Sequence, residues 1–224
     1  MAEIIVALDL PGAEARRLLE RIPEARWVKV GSILFAEEGP ALVRELVGRG
    51  LKVFLDLKWH DIPNTVAGAV ERARTLGVTM ATVHTLGGKA MMEAAAEAAG
   101  PDLGLVGVTV LTSHTREGYA AATGRGDVTM VDEVARLAGT ALAAGLRGIV
   151  CSPQEVATVR VLASGAWIVV PGIRRPGDAG GDQSRTAGPA DAVAAGATHL
   201  VVGRPILQAG DPRGVFLEME AAAR

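Results

Sequence analysis

Val53-Phe54-Leu55-Asp56-Leu57-Lys58-Trp59-His60-Asp61-Ile62-Pro63-Asn64-Thr65 reads as an apolar strand that ends in charges and runs into a helix. Residues two apart on a strand share a face, so Phe54, Asp56 and Lys58 project to one side of the sheet. A carboxylate and an ammonium on a buried face are costly unless they are paired. Their presence there points to a site rather than to core. Asp61 falls just past the strand, where loops carry chemistry.

The same unit, a short apolar run followed by a helical pattern, repeats along the chain. Eight strand-like runs are found at Ile4–Asp9, Trp27–Gly31, Val53–Lys58, Met80–His84, Leu103–Leu111, Gly148–Cys151, Trp167–Pro171 and His199–Gly203. Helical patterns follow them near 13–21, 36–49, 64–76, 88–99, 129–144, 153–163, 189–196 and 211–223. Several runs are almost continuously apolar, as parallel strands covered on both faces require. Eight β/α units in 224 residues predict an α/β fold, a (β/α)8 barrel forming one domain over 1–224. A doubly wound open sheet is the alternative. Two connections are long, 112–128 and 172–189, and both follow strands. In a barrel both would lie on the C-terminal face, where such folds place their sites.

Composition narrows the function. The hydrophobic share of 49% supplies a sizeable core, and the formal charge of −2 gives no basic surface for nucleic acid. With aromatics at 3%, the core is expected to rely on Val, Leu, Ile and Ala. The lone cysteine, Cys151, allows no internal disulfide and fits a reducing cytoplasm. No basic, then apolar leader is seen at the N-terminus. No run approaches the ~20 apolar residues that span a bilayer. Only four lysines stand among 23 Lys+Arg, and two of them, Lys29 and Lys58, lie inside apolar strand patterns.

Polar residues collect at the strand ends: Asp9, Lys29, Asp56 with Lys58, Thr112, Arg174 and Gly203-Arg204. Closing a barrel would bring these ends into one ring. Lys29, Asp56, Lys58 and Asp61 could then form an alternating array in which each charge holds its neighbours ionised. A lysine kept charged in a dry site can stabilise a developing anion and deliver a proton. Each residue alone also has a plainer role: an ion pair for Asp56 and Lys58, snorkelling for Lys29, a helix start for Asp61, a turn cap for Asp9. Convergence at one end of the fold argues against all four at once. His60 and His84 read as hydrogen-bonded wall residues and Cys151 as inert core. Near the C-terminus, Gly203 lets backbone N–H groups approach an anion and Arg204 can clamp it. Arg174, Arg175 and the stretch Asp182-Gln183-Ser184-Arg185 offer further donors.

Taken together, these segments resemble the orotidine 5'-phosphate decarboxylase family in its bacterial form. The resemblance rests on Leu8-Asp9-Leu10, Val28-Lys29-Val30-Gly31, Phe54 through Thr65, Val110-Leu111-Thr112-Ser113, Val170 through Thr186 and Val201 through Ile206. It implies a barrel that decarboxylates orotidine 5'-monophosphate to UMP, without metal or organic cofactor, as a cytoplasmic homodimer. It also implies roles for particular residues. Asp9 and Lys29 would bind ribose hydroxyls. Lys29, Asp56, Lys58 and Asp61 would form the charged array, with Asp61 and Thr65 reaching into the partner's site. Thr112 or Ser113 would contact the pyrimidine, and Gln183, Arg204 and the Gly203 backbone would hold the phosphate, with Arg174 close by. Two other readings stand beside this one. The first is a magnesium-dependent sugar-phosphate decarboxylase or aldolase on the same barrel, which places an acidic residue where this chain has Lys29. The second is a non-catalytic barrel that binds a phosphate ligand.

Overall fold

The computed structural model describes residues 1–175, 177–178 and 185–224. Eight parallel strands close into a barrel in sequence order, each hydrogen-bonded to the next and β8 to β1. They are β1 (Glu3–Ala7), β2 (Trp27–Gly31), β3 (Lys52–Trp59), β4 (Met80–His84), β5 (Gly104–Val108), β6 (Gly148–Val150), β7 (Trp167–Val170) and β8 (His199–Val202). Closure decides against the open sheet.

Ten α-helices are found among the described residues: α1 (Gly12–Arg21), α2 (Ser32–Gly48), α3 (Pro63–Thr75), α4 (Gly88–Ala99), α5 (Arg116–Thr123), α6 (Met130–Ala143), α7 (Val156–Leu162), α8 (Pro189–Ala194), α9 (Arg204–Leu207) and α10 (Pro212–Ala222). None of the described helices is long and apolar enough to cross a membrane.

The continuous apolar runs are explained by burial on both faces. One parity of the strands, including Val6, Val28, Leu55, Val83, Ile149 and Leu200, packs outward in one cluster with helix residues such as Leu19, Leu46, Val70 and Met92. The other parity fills the barrel with a separate layer of Ile5, Ala7, Trp27, Phe54, Met80, Val106, Val169 and Val201. Continuing that inward parity toward the C-terminal ends reaches Asp9, Lys29, Asp56 and Thr82. The mouth of the barrel is therefore polar where its middle is apolar.

Three differences from the sequence reading have local causes. The expected strand Leu103–Leu111 ends at Val108, because Val110 is buried in the outer cluster and Leu111 lines the mouth; they are apolar for packing, not for strand pairing. The connection 112–128 contains α5, whose Thr115 hydroxyl accepts the Gly118 N–H. The helix expected from 36 begins at Ser32 and is broken at Gly39, whose φ of 62° precedes Pro40.

The barrel floor departs from the expectation of an aliphatic core. Trp27 and Trp167 meet edge to face at 6.4 Å, and His199 packs against each at 5.2 Å. Glycines make the room: a Cβ on Gly104 would lie 2.2 Å from the Trp167 ring, and one on Gly148 would lie 2.3 Å from the Trp167 carbonyl oxygen. Burial, with Lys52 nearby, pulls the buried His199 imidazole down from 6.5 to about 4. The folded protein therefore holds His199 neutral while the unfolded chain protonates it. Its share of stability is complete above pH 6.5 and is lost as pH falls through that value toward about 4. The gap corresponds to roughly 3 kcal/mol. The urea midpoint is expected to fall between about pH 7 and about pH 4.5, and to fall less in His199→Phe. Equal acid slopes in the two proteins would remove His199 as the cause.

Candidate active site

The strand ends enclose a cleft of about 690 Å³ lined by Asp9, Lys29, Asp56, Lys58, Thr112, Ser113, Arg174, Gly203 and Arg204, with Ala7, Phe54, Val150 and Val201 as its apolar floor. β1, β2, β3 and β8 each place side chains there because inward parity carries through to their ends.

Charges alternate in an unbroken row. Lys29 Nζ lies 2.9 Å from Asp9 Oδ1 and 3.8 Å from Asp56 Oδ2, and Lys58 Nζ lies 2.9 Å from Asp56 Oδ1. Lys29 is 8% exposed, so its ammonium depends on these two carboxylates for what water would otherwise supply. Gly31 leaves room for the row: a Cβ there would lie 3.0 Å from Lys29 Nζ and 3.2 Å from Asp9 Oδ1. Asp9, rather than Asp61, ends the row within one chain. Asp61 is exposed, its Oδ1 accepting the Ile62 N–H at 2.6 Å. Thr65 is exposed as well, and neither residue lines the cleft.

Lys58 reaches Asp56 by an unusual backbone. The β3–β4 register shifts between Leu55 and Trp59, and Lys58 has φ 50°, the only non-glycine positive φ among the described residues. A lysine in the left-handed region costs on the order of 1 kcal/mol or more and persists where its surroundings impose it. Those surroundings include Thr82, which is fully buried. Its hydroxyl accepts the Lys58 backbone N–H at 2.8 Å and donates to Asp56 Oδ1 at 3.1 Å. Sequence reasoning passed over Thr82. The available signal was its place two residues after Met80, on the inward face of an otherwise apolar run.

Arg174, Gly203 and Arg204, expected from the sequence to meet a phosphate, face the same cleft, and Arg174 and Arg204 also line the adjoining recess with Arg175 and Gln208. Gln183 lies outside the described residues. His84 and His60 stack at 5.6 Å, and His84 Nδ1 accepts the Leu86 N–H. Burial, then the neighbouring His60 and Lys58, lowers His84 to about 4, so it is neutral near pH 7. Burial pushes the Cys151 thiol well up, which fits inert core. Among the described residues no three His, Cys, Asp or Glu side chains are grouped as metal ligands.

The geometry offers an ammonium, Lys58, beside a carboxylate in a cleft with two arginines at its far side. It can hold a phosphate-bearing anion and place a proton donor at the other end.

Comparison with known proteins points the same way. The sequence model of the "Orotidine 5'-phosphate decarboxylase / HUMPS family" matches residues 2–219. The chain is 51% identical over 237 residues to orotidine 5'-phosphate decarboxylase of Alkalilimnicola ehrlichii, covering 100% of this chain and 97% of that one. It is 50% identical over 225 residues to the enzyme of the same name from Halorhodospira halophila, covering 93% and 90%. Among solved structures, orotidine 5'-phosphate decarboxylase from Lactobacillus acidophilus superposes with a TM-score of 0.88 at 34% identity over 100% of both chains.

Proposed function

The chain belongs to the orotidine 5'-phosphate decarboxylase / HUMPS family, and from that membership we infer that it converts orotidine 5'-monophosphate to UMP and carbon dioxide. The observation that carries this reading within the family is the row Asp9–Lys29–Asp56–Lys58 opening onto Arg174, Gly203 and Arg204.

In this reading Arg204, the Gly203 backbone and Gln183 hold the phosphate, with Arg174 beside them, and Thr112 or Ser113 meets the pyrimidine. Asp9 and Lys29 take the ribose hydroxyls. Asp56 stands near the substrate carboxylate. The bond from C6 to the carboxylate carbon breaks, carbon dioxide leaves, and the electron pair stays on C6. The Lys58 ammonium stabilises that charge and then gives C6 its proton; solvent restores the ammonium. Only attraction that grows toward the carbanion speeds this step. Phosphate contacts far from C6 contribute by holding the ring in place.

Lys29 also separates this reading from the magnesium-dependent one. Its ammonium already occupies the space between Asp9 and Asp56, and a positive charge there opposes a divalent cation. A purely binding barrel has no need of so costly a charge row.

The same reading makes the protein a cytoplasmic homodimer, each chain a single domain, with Asp61 and Thr65 completing the partner's site. Their exposure at the start of α3, beside Ile62 at 67% exposed, supports that arrangement.

The test is ultraviolet monitoring of orotidine 5'-monophosphate with purified protein in EDTA. Loss of the orotate chromophore with UMP as product is expected. A folded, inactive protein, or turnover of a sugar phosphate only on adding magnesium, would overturn the reading.

A further inference from the structure

We propose that Thr82 is a positioning residue for the decarboxylation, its hydroxyl holding the Lys58 backbone and the Asp56 carboxylate in one fixed relation. The inference rests on the activity assigned above and adds a residue to it.

The hydrogen-bond directions are forced. The Lys58 backbone N–H can only donate, so the Thr82 oxygen accepts it at 2.8 Å. That leaves the hydroxyl's own proton for Asp56 Oδ1, 3.1 Å away, which receives it as an ionised carboxylate does. The same Asp56 oxygen takes the Lys58 ammonium at 2.9 Å. One buried hydroxyl thus ties together the two ends of the lysine and the carboxylate between them.

The tie sits where the backbone most needs it. β3 is out of step with β4 between Leu55 and Trp59, and Lys58 is left-handed with φ 50°. In a regular strand the Lys58 N–H would point at a neighbouring carbonyl. Here it points at Thr82, whose place on the inward face of β4 is set by Met80 below it in the barrel layer. Without the hydroxyl, the bulge loses its anchor and both Lys58 N–H and Asp56 Oδ1 lose a partner in a partly buried place.

The experiment compares Thr82→Val, which keeps the shape and removes the hydroxyl, with Thr82→Ser, which keeps the hydroxyl. Four quantities are read: kcat and KM for orotidine 5'-monophosphate, Kd for UMP, and amide hydrogen exchange at Lys58. The valine variant is expected to lose kcat on the order of 100-fold, the scale of a small misplacement of a reacting group. Its Kd for UMP should stay close to the parent's, because ribose and phosphate contacts are untouched, and its Lys58 amide should exchange faster. Serine should recover both kcat and protection. A valine variant with kcat within about twofold of the parent, equal losses in valine and serine, or a UMP affinity that falls in step with kcat would each overturn the proposal. If the valine variant does not fold, the serine variant decides alone: near-parental kcat supports the hydroxyl, and a loss on the order of 100-fold overturns it. If the parent itself does not turn over orotidine 5'-monophosphate, the assigned activity is what has failed, and positioning for that reaction falls with it. Lys58 exchange would still show whether the hydroxyl holds the bulge.

Discussion

Replacing Lys58 with alanine is expected to abolish turnover while leaving the protein folded and able to bind UMP. The side chain is 40% exposed and contributes little burial. Its removal leaves Asp56 still facing Lys29 at 3.8 Å and the Thr82 hydroxyl at 3.1 Å, so no carboxylate is stranded. Alanine tolerates the left-handed φ about as poorly as lysine does, so the backbone cost is unchanged. What disappears is both the charge that opposes the developing carbanion and the proton that quenches it. General acid catalysis is worth about 10²–10⁴, and a preorganised electrostatic contact about 10²–10³. A loss of about 10⁴ or more in kcat follows if the two act in sequence on the same carbon. Single-turnover decarboxylation, read beside UMP binding and a circular dichroism spectrum, checks it. A kcat within about tenfold of the parent would sink the role given to Lys58.

The largest effect on stability is expected away from the charge row, at Glu155. Its carboxylate is buried in the 3-10 turn Pro153–Glu155 that leads into α7 and takes Arg185 Nη1 at 2.6 Å, while the Ser152 hydroxyl donates to its other oxygen. Arg185 is itself buried, and its Nη2 reaches the Leu111 carbonyl at 3.2 Å. Glu155→Leu leaves a guanidinium in the interior whose remaining hydrogen-bond partner among the described residues is the Leu111 carbonyl. Breaking a buried pair from one side costs about 3–5 kcal/mol. Removing both charges costs much less, so Glu155→Leu/Arg185→Leu should regain part of the loss. Urea midpoints of the parent, both single variants and the double variant give the coupling directly. Additive losses would show that the pair does not act as a unit. Because Arg185 also ties its loop to the residue before Thr112, the single variant is expected to weaken substrate binding as well.

How much of this was legible beforehand differs from residue to residue. Parallel strands covered on both faces followed from runs such as Val28-Lys29-Val30 and Val201-Val202, which no half-exposed strand would tolerate, and the count of eight units favoured a barrel whose closure the structure supplies. Parity along those runs located Asp9, Lys29 and Asp56 on the inward face. It did not say which acid would close the row on Lys29. Asp9 does so because β1 and β2 pair with Ala7 opposite Lys29, a register between residues twenty-two apart. The role of Thr82 was likewise out of reach: it depends on a bulge in β3 and its pairing with β4. The floor formed by Trp27, Trp167 and His199 depends on Gly104 and Gly148 lying opposite Trp167, and nothing in any one segment signals it.

The amino-acid sequence by itself determined the repeated β/α unit, strands apolar on both faces and the polar identity of the strand ends, because these follow from local periodicity and from the cost of burying charge. Only the tertiary structure decided which charges touch, why Lys58 is left-handed and what holds it there. Those contacts are made across strands whose register is set by closure of the whole barrel, and no stretch of sequence contains them.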